Sequence, residues 1–583
     1  PAFGSAREGS SVAWSALSGG ERLSRPVMVS ALSDSVRDYY TKFCEILGKI
    51  SIICDNTFGG QAALDEKFEK IEKLEKFNSP GPKTPITETF NFSRKDDHAN
   101  LHDQKQAFYE LLHVAVQALP RCLSPAIPFN TLVNLLCTGT AHVQHNIAES
   151  SAQSLKAIAR QSHAHQVTMG FARFIFNFDD RYSTMSDGGM LGPDHIEKTL
   201  MLYIELLHIW IDEIKQKTKT AADDNKESSP ADKRGIKLDL SSVWAEVDQV
   251  EAHGLFFLCS QSRRVRYYAV SVLRLIKEFD AVLRNPNGHQ KDTTRLIDIL
   301  ENDAIQVMSF NDEQLSVAER SRLQRGMQNT NSRGALIELC TSDLSYDTTL
   351  WFKIFPNFIR IAFDKCPFAI TLSRDLICER ILQLYKVITV LSEPAGGPRG
   401  QYFADPGSGR MAAKTPTTQP EVLIEQWKLY LVFACTTLAD PGSAQGSGVP
   451  NGQHGRKGSS AAEKIGSART LFKYLNPMLS CSSDAVREAV VTAMGSINVH
   501  IYRTLLEELQ GQVSRCHDDA RQRIHQRTNS SPRRNRKMDI LRTEITHVYR
   551  LTSHFLREPQ VYQDDWILHN LLTYTKELKL FLM

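Results

Sequence analysis

The chain has 583 residues, too many for one simple domain on a scale of about 100–200 residues per domain. Its 42% apolar and 23% charged residues are ordinary for a globular protein, and a net charge of +3 gives no reason to expect a nucleic-acid binder. No apolar run approaches the ~18 residues that a membrane-spanning helix needs.

In chain order, residues 1–30 are rich in Gly, Ser and Ala and are expected to be a disordered tail. The opening PAFGSAREGSS has no starting Met and no signal-peptide core, and residue 583 follows an apolar run, so the chain is expected to be a piece of something longer. Residues 31–214 read as a first helical-repeat segment. It opens on a helix over 33–53 with Val36, Tyr40, Phe43, Leu47 and Ile50 on one face. Phe108, Leu111, Leu112, Ala115, Val116 and Leu119 mark a helix that Pro120 stops. Residues 200–214 are apolar nearly all round, as suits a helix with several neighbours. A charged linker is expected over 215–238, and a second helical-repeat segment over 239–391. A Gly/Pro-rich loop follows over 392–420, then a helix over 421–439. Residues 440–462 are a low-complexity linker. A helical hairpin is expected over 463–517, a basic loop over 518–537 and a helical segment over 538–583. Alternating strand patterns are almost absent, which makes the chain all-α.

The second helical segment contains the most regular stretch, a hairpin over 241–280. Val243, Val247, Val250, Gly254 and Phe257 share one helical face. Val265, Ala269, Val272, Leu273 and Ile276 share the next, and Ser260, Gln261 and Ser262 form the turn between them. Such a hairpin cannot bury both stripes alone and needs stacked neighbours. A second copy lies near residue 486: Leu479 aligns with Leu258, Val486-Arg487 with Val265-Arg266, and Ile497 with Ile276. A looser third copy, over 135–160, places Ala148, Ala152, Leu155 and Ala159 on one face. "Polar turn, Val-Arg, small-residue helix" resembles the HEAT/armadillo pattern, although Arg263 stands where that pattern prefers Asp and no constant period of ~40–47 residues runs through the chain. The expected fold is therefore an all-α, HEAT/armadillo-like helical-repeat solenoid with long disordered loops.

Catalytic constellations are missing from the sequence. PGSGRMAAKT over 406–415 has a superficial likeness to a phosphate-binding loop, but Ala413 stands where the second Gly is required and no strand precedes it. His163 and His165 have no Cys or carboxylate companions at zinc spacing. The eleven cysteines form no CxxC pair, and Cys259, Cys340 and Cys435 lie in apolar runs, so buried reduced thiols of a cytosolic protein are expected. No catalytic, cofactor or metal residues are assigned. Asp564-Asp565 suits a helix N-terminus, where carboxylates oppose the positive end of the dipole.

Two basic clusters remain. Arg263, Arg264 and Arg266 sit at the hairpin turn, where they could meet an acidic partner or form ion pairs within the stack; the second role is the stronger expectation. Residues 521–537, RQRIHQRTNSSPRRNRK, hold seven Arg or Lys and no acid. Within that block, His525 and Arg527 precede Ser530 at the −5 and −3 positions, which resembles the substrate consensus of NDR/LATS kinases. Arg527, Ser530 and Pro532 also resemble a 14-3-3 recognition motif, and Ser531-Pro532 is a proline-directed site. Ser530 and Ser531 are thus candidate phosphosites. The plain alternative is a solvated basic loop.

Longer strings carry a family resemblance. VEAHGLFFLCSQSRRVRYYAVSVLRLIKEFD from Val250, DAIQVMSFNDEQLSVAERSRLQRGMQNT from Asp303, ELCTSDLSYDTTLWFKIFPNFIRIAFDKCPF from Glu338 and IHQRTNSSPRRNRKMDILRTEITHVYRLTSHFL from Ile524 resemble the Furry family of cell-morphogenesis proteins, especially its filamentous-fungal members. The resemblance implies a large helical-repeat scaffold, an NDR-family kinase and its Mob coactivator as partners, and work in the cytoplasm at the cell cortex during polarised growth. It implies no catalytic residue. A solenoid adaptor for transport is the rival expectation, but the chain shows no repeated Asn/Trp ladder for gripping peptides.

Overall fold

The computed structural model describes residues 33–66, 95–177, 193–227, 240–283, 294–309, 315–329, 333–392, 420–439, 464–526 and 535–582. All of its regular elements are helical, with no strand among the described residues. The protein is all-α, built from helical hairpins stacked within two compact units.

The first unit takes residues 1–184, 193–238 and 278–285. It contains α1 (Asp34–Phe58), α2 (Lys95–Ala118), α3 (Phe129–Gly139), α4 (His145–Ile158), α5 (Ala164–Ile175) and α6 (Pro193–Glu227). α2 packs on α1 and α4, and α5 on α3 and α6. Small residues set the spacing. A Cβ on Gly139 would come within 2.4 Å of the Ser151 hydroxyl, and Ser154 donates to the Val116 carbonyl at 2.8 Å. The buried stripe of α4 is Ile147, Ser151, Leu155 and Ile158, so the face expected at Ala148 and Ala152 is turned part-way outward. α6 continues through Glu227, so the first part of the expected linker over 215–238 is helix.

The second unit takes residues 185–192, 239–277 and 286–583. Its first hairpin is α7 (Leu240–Leu258) and α8 (Arg263–Leu283) as far as Lys277, with the turn at the expected place. Val247, Val250 and Phe257 on α7, and all five expected residues on α8, are buried. α9 (Leu296–Asn302), α10 (Ala304–Met308), α11 (Val317–Asn329) and α12 (Ala335–Thr341) are short. α13 (Ser345–Lys365) and α14 (Pro367–Ser392) meet at Cys366, where the following Pro ends one helix and begins the next. α15 (Pro420–Thr437) is buried almost all round. α16 (Ala468–Leu475) and α17 (Asp484–Gly495) are capped by the Ser467 and Ser483 hydroxyls, which accept from the Thr470 and Val486 amides. α18 (Tyr502–Gln526), α19 (Arg536–Thr552), α20 (Pro559–Tyr562) and α21 (Asp565–Leu582) complete the unit. Between α17 and α18 lies a short 3-10 turn, Val499–Ile501. Successive packing runs from α7 to α14, α15, α17 and α19. Each helix thus buries a stripe that its own hairpin could not cover.

Candidate interaction surface

The turn between α7 and α8 is a buried junction. The Gln426 side chain on α15 spans it, donating to the Cys259 carbonyl at 2.7 Å and accepting from the Gln261 amide at 2.8 Å. Arg266 is fully buried. Its guanidinium donates to the carbonyls of Ser260 and Gln261 at 2.8 Å each, to the Cys340 carbonyl at 2.7 Å and to the Thr348 hydroxyl at 3.1 Å. Burial pulls its pKa down to about 10. Arg263 is half-buried; it pairs with Asp343 at 2.7 Å and donates to the Thr341 carbonyl. Arg264 is exposed. The three arginines therefore do not form one docking patch. Arg266 points inward because the turn leaves carbonyls without helical partners, and a guanidinium can satisfy several at once.

The basic block is likewise divided. Residues 518–526 are the last turns of α18, and 536–537 begin α19, so the loop expected over 518–537 is helical at both ends. His525 lies on α18. Arg527, Ser530, Ser531 and Pro532 lie outside the described residues.

Both flanks of residues 527–534 are fastened. Arg523 pairs with Asp519 and Asp539, at 3.0 Å each. Arg542 pairs with the same two aspartates at 3.2 Å each and donates to the Cys516 carbonyl at 2.9 Å. The Arg542 guanidinium lies 3.6 Å from the centre of the Phe581 ring on α21, and that of Arg523 lies 5.8 Å away. Arg521 reaches Glu577, also on α21, at 3.0 Å. The sequence block carries no acid, but Asp519 is one turn before Arg523 and Asp539 one turn before Arg542. That helical spacing was the available signal, and reading the block as a loop hid it.

The remaining polar candidates separate. The His163 ring lies 4.6 Å from that of Phe129, whereas the His165 ring lies 5.3 Å from that of Trp210. No group of three or more His, Cys, Asp or Glu side chains is placed to share a metal among the described residues. Asp564 accepts from the Trp566 and Ile567 amides at the start of α21. Residues 406–415 lie outside the described residues. No described helix is long and apolar enough to cross a membrane.

A sequence profile of the family described as "Cell morphogenesis N-terminal" matches residues 3–211. The cell morphogenesis protein PAG1 of Saccharomyces cerevisiae is 25% identical, over 95% of this chain and 23% of its own length. The cell polarity protein mor2 of Schizosaccharomyces pombe is 28% identical, over 66% of this chain and 18% of its own length. The chain thus spans less than a quarter of either relative. No solved structure matches it.

Proposed function

Because this chain belongs to the Furry family of cell-morphogenesis proteins, we propose that it is a non-catalytic scaffold segment that docks an NDR-family kinase with its Mob coactivator during polarised growth. The observation that carries this reading is the likeness to a morphogenesis protein over 95% of the chain, joined to a helical stack whose interior is packed from α7 to α19. A stack of HEAT/armadillo type offers surface instead of a reaction pocket. It would act by holding kinase and coactivator together, so that each second contact becomes intramolecular. Work at the cell cortex from the cytoplasmic side is part of the same proposal.

Residues 527–534 are the proposed regulatory element. The helix ends on either side of it are anchored through Asp519 and Asp539. His525, Arg527 and the hydroxyl of Ser530 suit an acidic kinase groove. A phosphate on Ser530 would add about −1.5 to −2 charge and, with Arg527 and Pro532, could engage 14-3-3.

The test is retention of an NDR-family kinase with its Mob coactivator by the immobilised chain, washed at rising salt, beside Ser530→Ala. Salt-resistant retention by both forms is the expected result and assigns docking to the folded stack. Loss in Ser530→Ala alone would move docking to residues 527–534. No retention by either form would overturn the scaffold assignment for this segment.

A further inference from the structure

The chain is fixed in place before α16 begins. Ile465 is buried, and the Ser467 hydroxyl caps the helix by accepting from the Thr470 amide at 3.2 Å. From α14, Tyr385 packs its ring edge-on against that of Tyr474, with centres 5.0 Å apart, and donates its hydroxyl to the Tyr474 carbonyl at 3.3 Å. On this frame Lys464, Thr470, Lys473 and Tyr474 line a cavity of about 370 Å³. That volume falls within the range of small-ligand pockets, roughly 300–1,000 Å³.

The charge of the cavity is unbalanced. Lys464 and Lys473 have no carboxylate partner among the described residues. The nearby Arg469 is engaged elsewhere, pairing with Glu507 at 2.7 Å and Glu508 at 2.9 Å on α18. Two ammonium groups that line one cavity without a counter-ion favour an anion between them.

We propose that this cavity binds a phosphorylated serine or threonine of a partner peptide. The ligand class follows from charge and shape. A phosphate carries about −1.5 to −2 charge and three acceptor oxygens, so one such group balances both lysines, whereas a carboxylate balances one. The Ser467 and Thr470 hydroxyls lie 3.0 Å apart. With Ser467 donating, the Thr470 proton is left for a phosphate oxygen. The Tyr474 ring gives the residues beside the phosphate an apolar wall. A membrane surface fits less well, because anionic bilayers are gripped by clusters of about 4–8 Lys or Arg. Here the free charge is confined to two lysines, and Arg469 beside them is neutralised. The site recognises a phosphate already present on a partner, so it stands independently of kinase docking and of Ser530.

The test is capture of short peptides by the immobilised full chain, read by mass spectrometry. One peptide mixture has varied flanks around a central phosphoserine or phosphothreonine, and the other lacks the phosphate. Phosphopeptides should be enriched by roughly tenfold or more. The enrichment should decline as pH falls below about 6, where the phosphate takes up a proton. Lys464→Gln with Lys473→Gln should abolish it; both residues are exposed, so the fold is kept. Lys464→Arg with Lys473→Arg should retain it. Lys215→Gln with Lys217→Gln, which removes the same charge from α6, should leave it unchanged. Vesicles rich in phosphatidylserine or phosphoinositide form the second arm. No enrichment by wild type, equal enrichment by the Lys464→Gln, Lys473→Gln variant, or capture of vesicles without capture of phosphopeptides would each overturn the proposal.

Discussion

Arg266 and Arg487 each donate through Nη1 to the carbonyl six residues upstream, Ser260 in one hairpin and Cys481 in the other, at 2.8 Å in both. The second contacts differ. Arg266 uses Nε on the Cys340 carbonyl, whereas Arg487 uses Nε on the Glu544 carboxylate at 3.0 Å. One repeated sequence feature, Val-Arg after a polar turn, thus makes one repeated local bond. Each copy then spends the rest of its guanidinium on whatever its own neighbour supplies.

Replacing Arg266 should therefore cost more than an ordinary buried hydrogen bond. Alanine would leave a cavity and strand carbonyls of three residues, for roughly 2–4 kcal/mol. Lysine keeps the charge but cannot reproduce the planar fork, so Arg266→Lys should fall between wild type and alanine. Denaturant unfolding of the full chain, with hydrogen exchange at residues 259–266, reads both. Wild-type protection in Arg266→Ala would refute the role.

Two glycines should respond unequally to alanine. A Cβ on Gly254 would meet the outer carbons of Leu273, at 2.8 and 2.9 Å, and a longer side chain can swing aside. A Cβ on Gly495 would meet Leu551 Cβ at 2.8 Å, next to the backbone of α19. Within a helix, Gly→Ala ordinarily gains about 0.5–1 kcal/mol, and overpacking costs about 1–3 kcal/mol. Gly254→Ala should come out near neutral or mildly destabilising. Gly495→Ala should lose stability clearly. Melting temperatures of the two variants, measured side by side, check the order.

Legibility in the sequence followed the chemistry of the buried face. α8 buries Val265, Ala269, Val272, Leu273 and Ile276, all apolar, so periodicity found its inner face. α1 buries Tyr40, Cys44, Gly48, Ser51 and Cys54, whereas Phe43, expected inside, is 42% exposed. Small residues carry a weak hydrophobic signal and still pack closely, so the stripe was read about one residue out of register. The basic block shows the complementary failure. Its counter-charges, Asp519 and Asp539, lie just outside it, and only the helical geometry of α18 and α19 brings them onto Arg523 and Arg542.

Acid should weaken the second unit through Asp347. Its side chain is fully buried, and Arg322 grips both oxygens, at 3.0 and 2.9 Å. Burial works to raise its pKa, but hydrogen bonds from Arg322 and Ser342 outweigh it and leave the carboxyl below its ordinary value. The folded pKa is thus lower than the unfolded one, near ~3.9. Stability from this pair is complete above the unfolded value and is lost as pH falls through the folded value. Asp347→Asn should be less stable than wild type at pH 7, by roughly 1–3 kcal/mol, and the difference should shrink towards pH 2. A constant difference across that range would contradict the linkage.

The ion pair between Glu251 and Arg295 offers a sharper contrast, because both ends are buried. Arg295 Nη1 reaches Glu251 at 2.8 Å and Asp248 at 2.7 Å, and the other Glu251 oxygen accepts from the Leu296 amide at 2.8 Å. Burial pushes Glu251 up to about 7 in spite of that pairing. Arg295→Met would remove the cation and leave a buried carboxylate, a loss of roughly 3–5 kcal/mol. Below neutral pH the orphaned Glu251 would take up a proton, so the variant should lose less stability at pH 5 than at pH 8. Adding Glu251→Gln to Arg295→Met removes the stranded charge while keeping an acceptor for the Leu296 amide, and should recover much of the loss. A double-mutant cycle by denaturant unfolding at both pH values measures the coupling. Equal losses for the single and double variants would mean that Arg295 acts through packing on Trp244 and not through its charge.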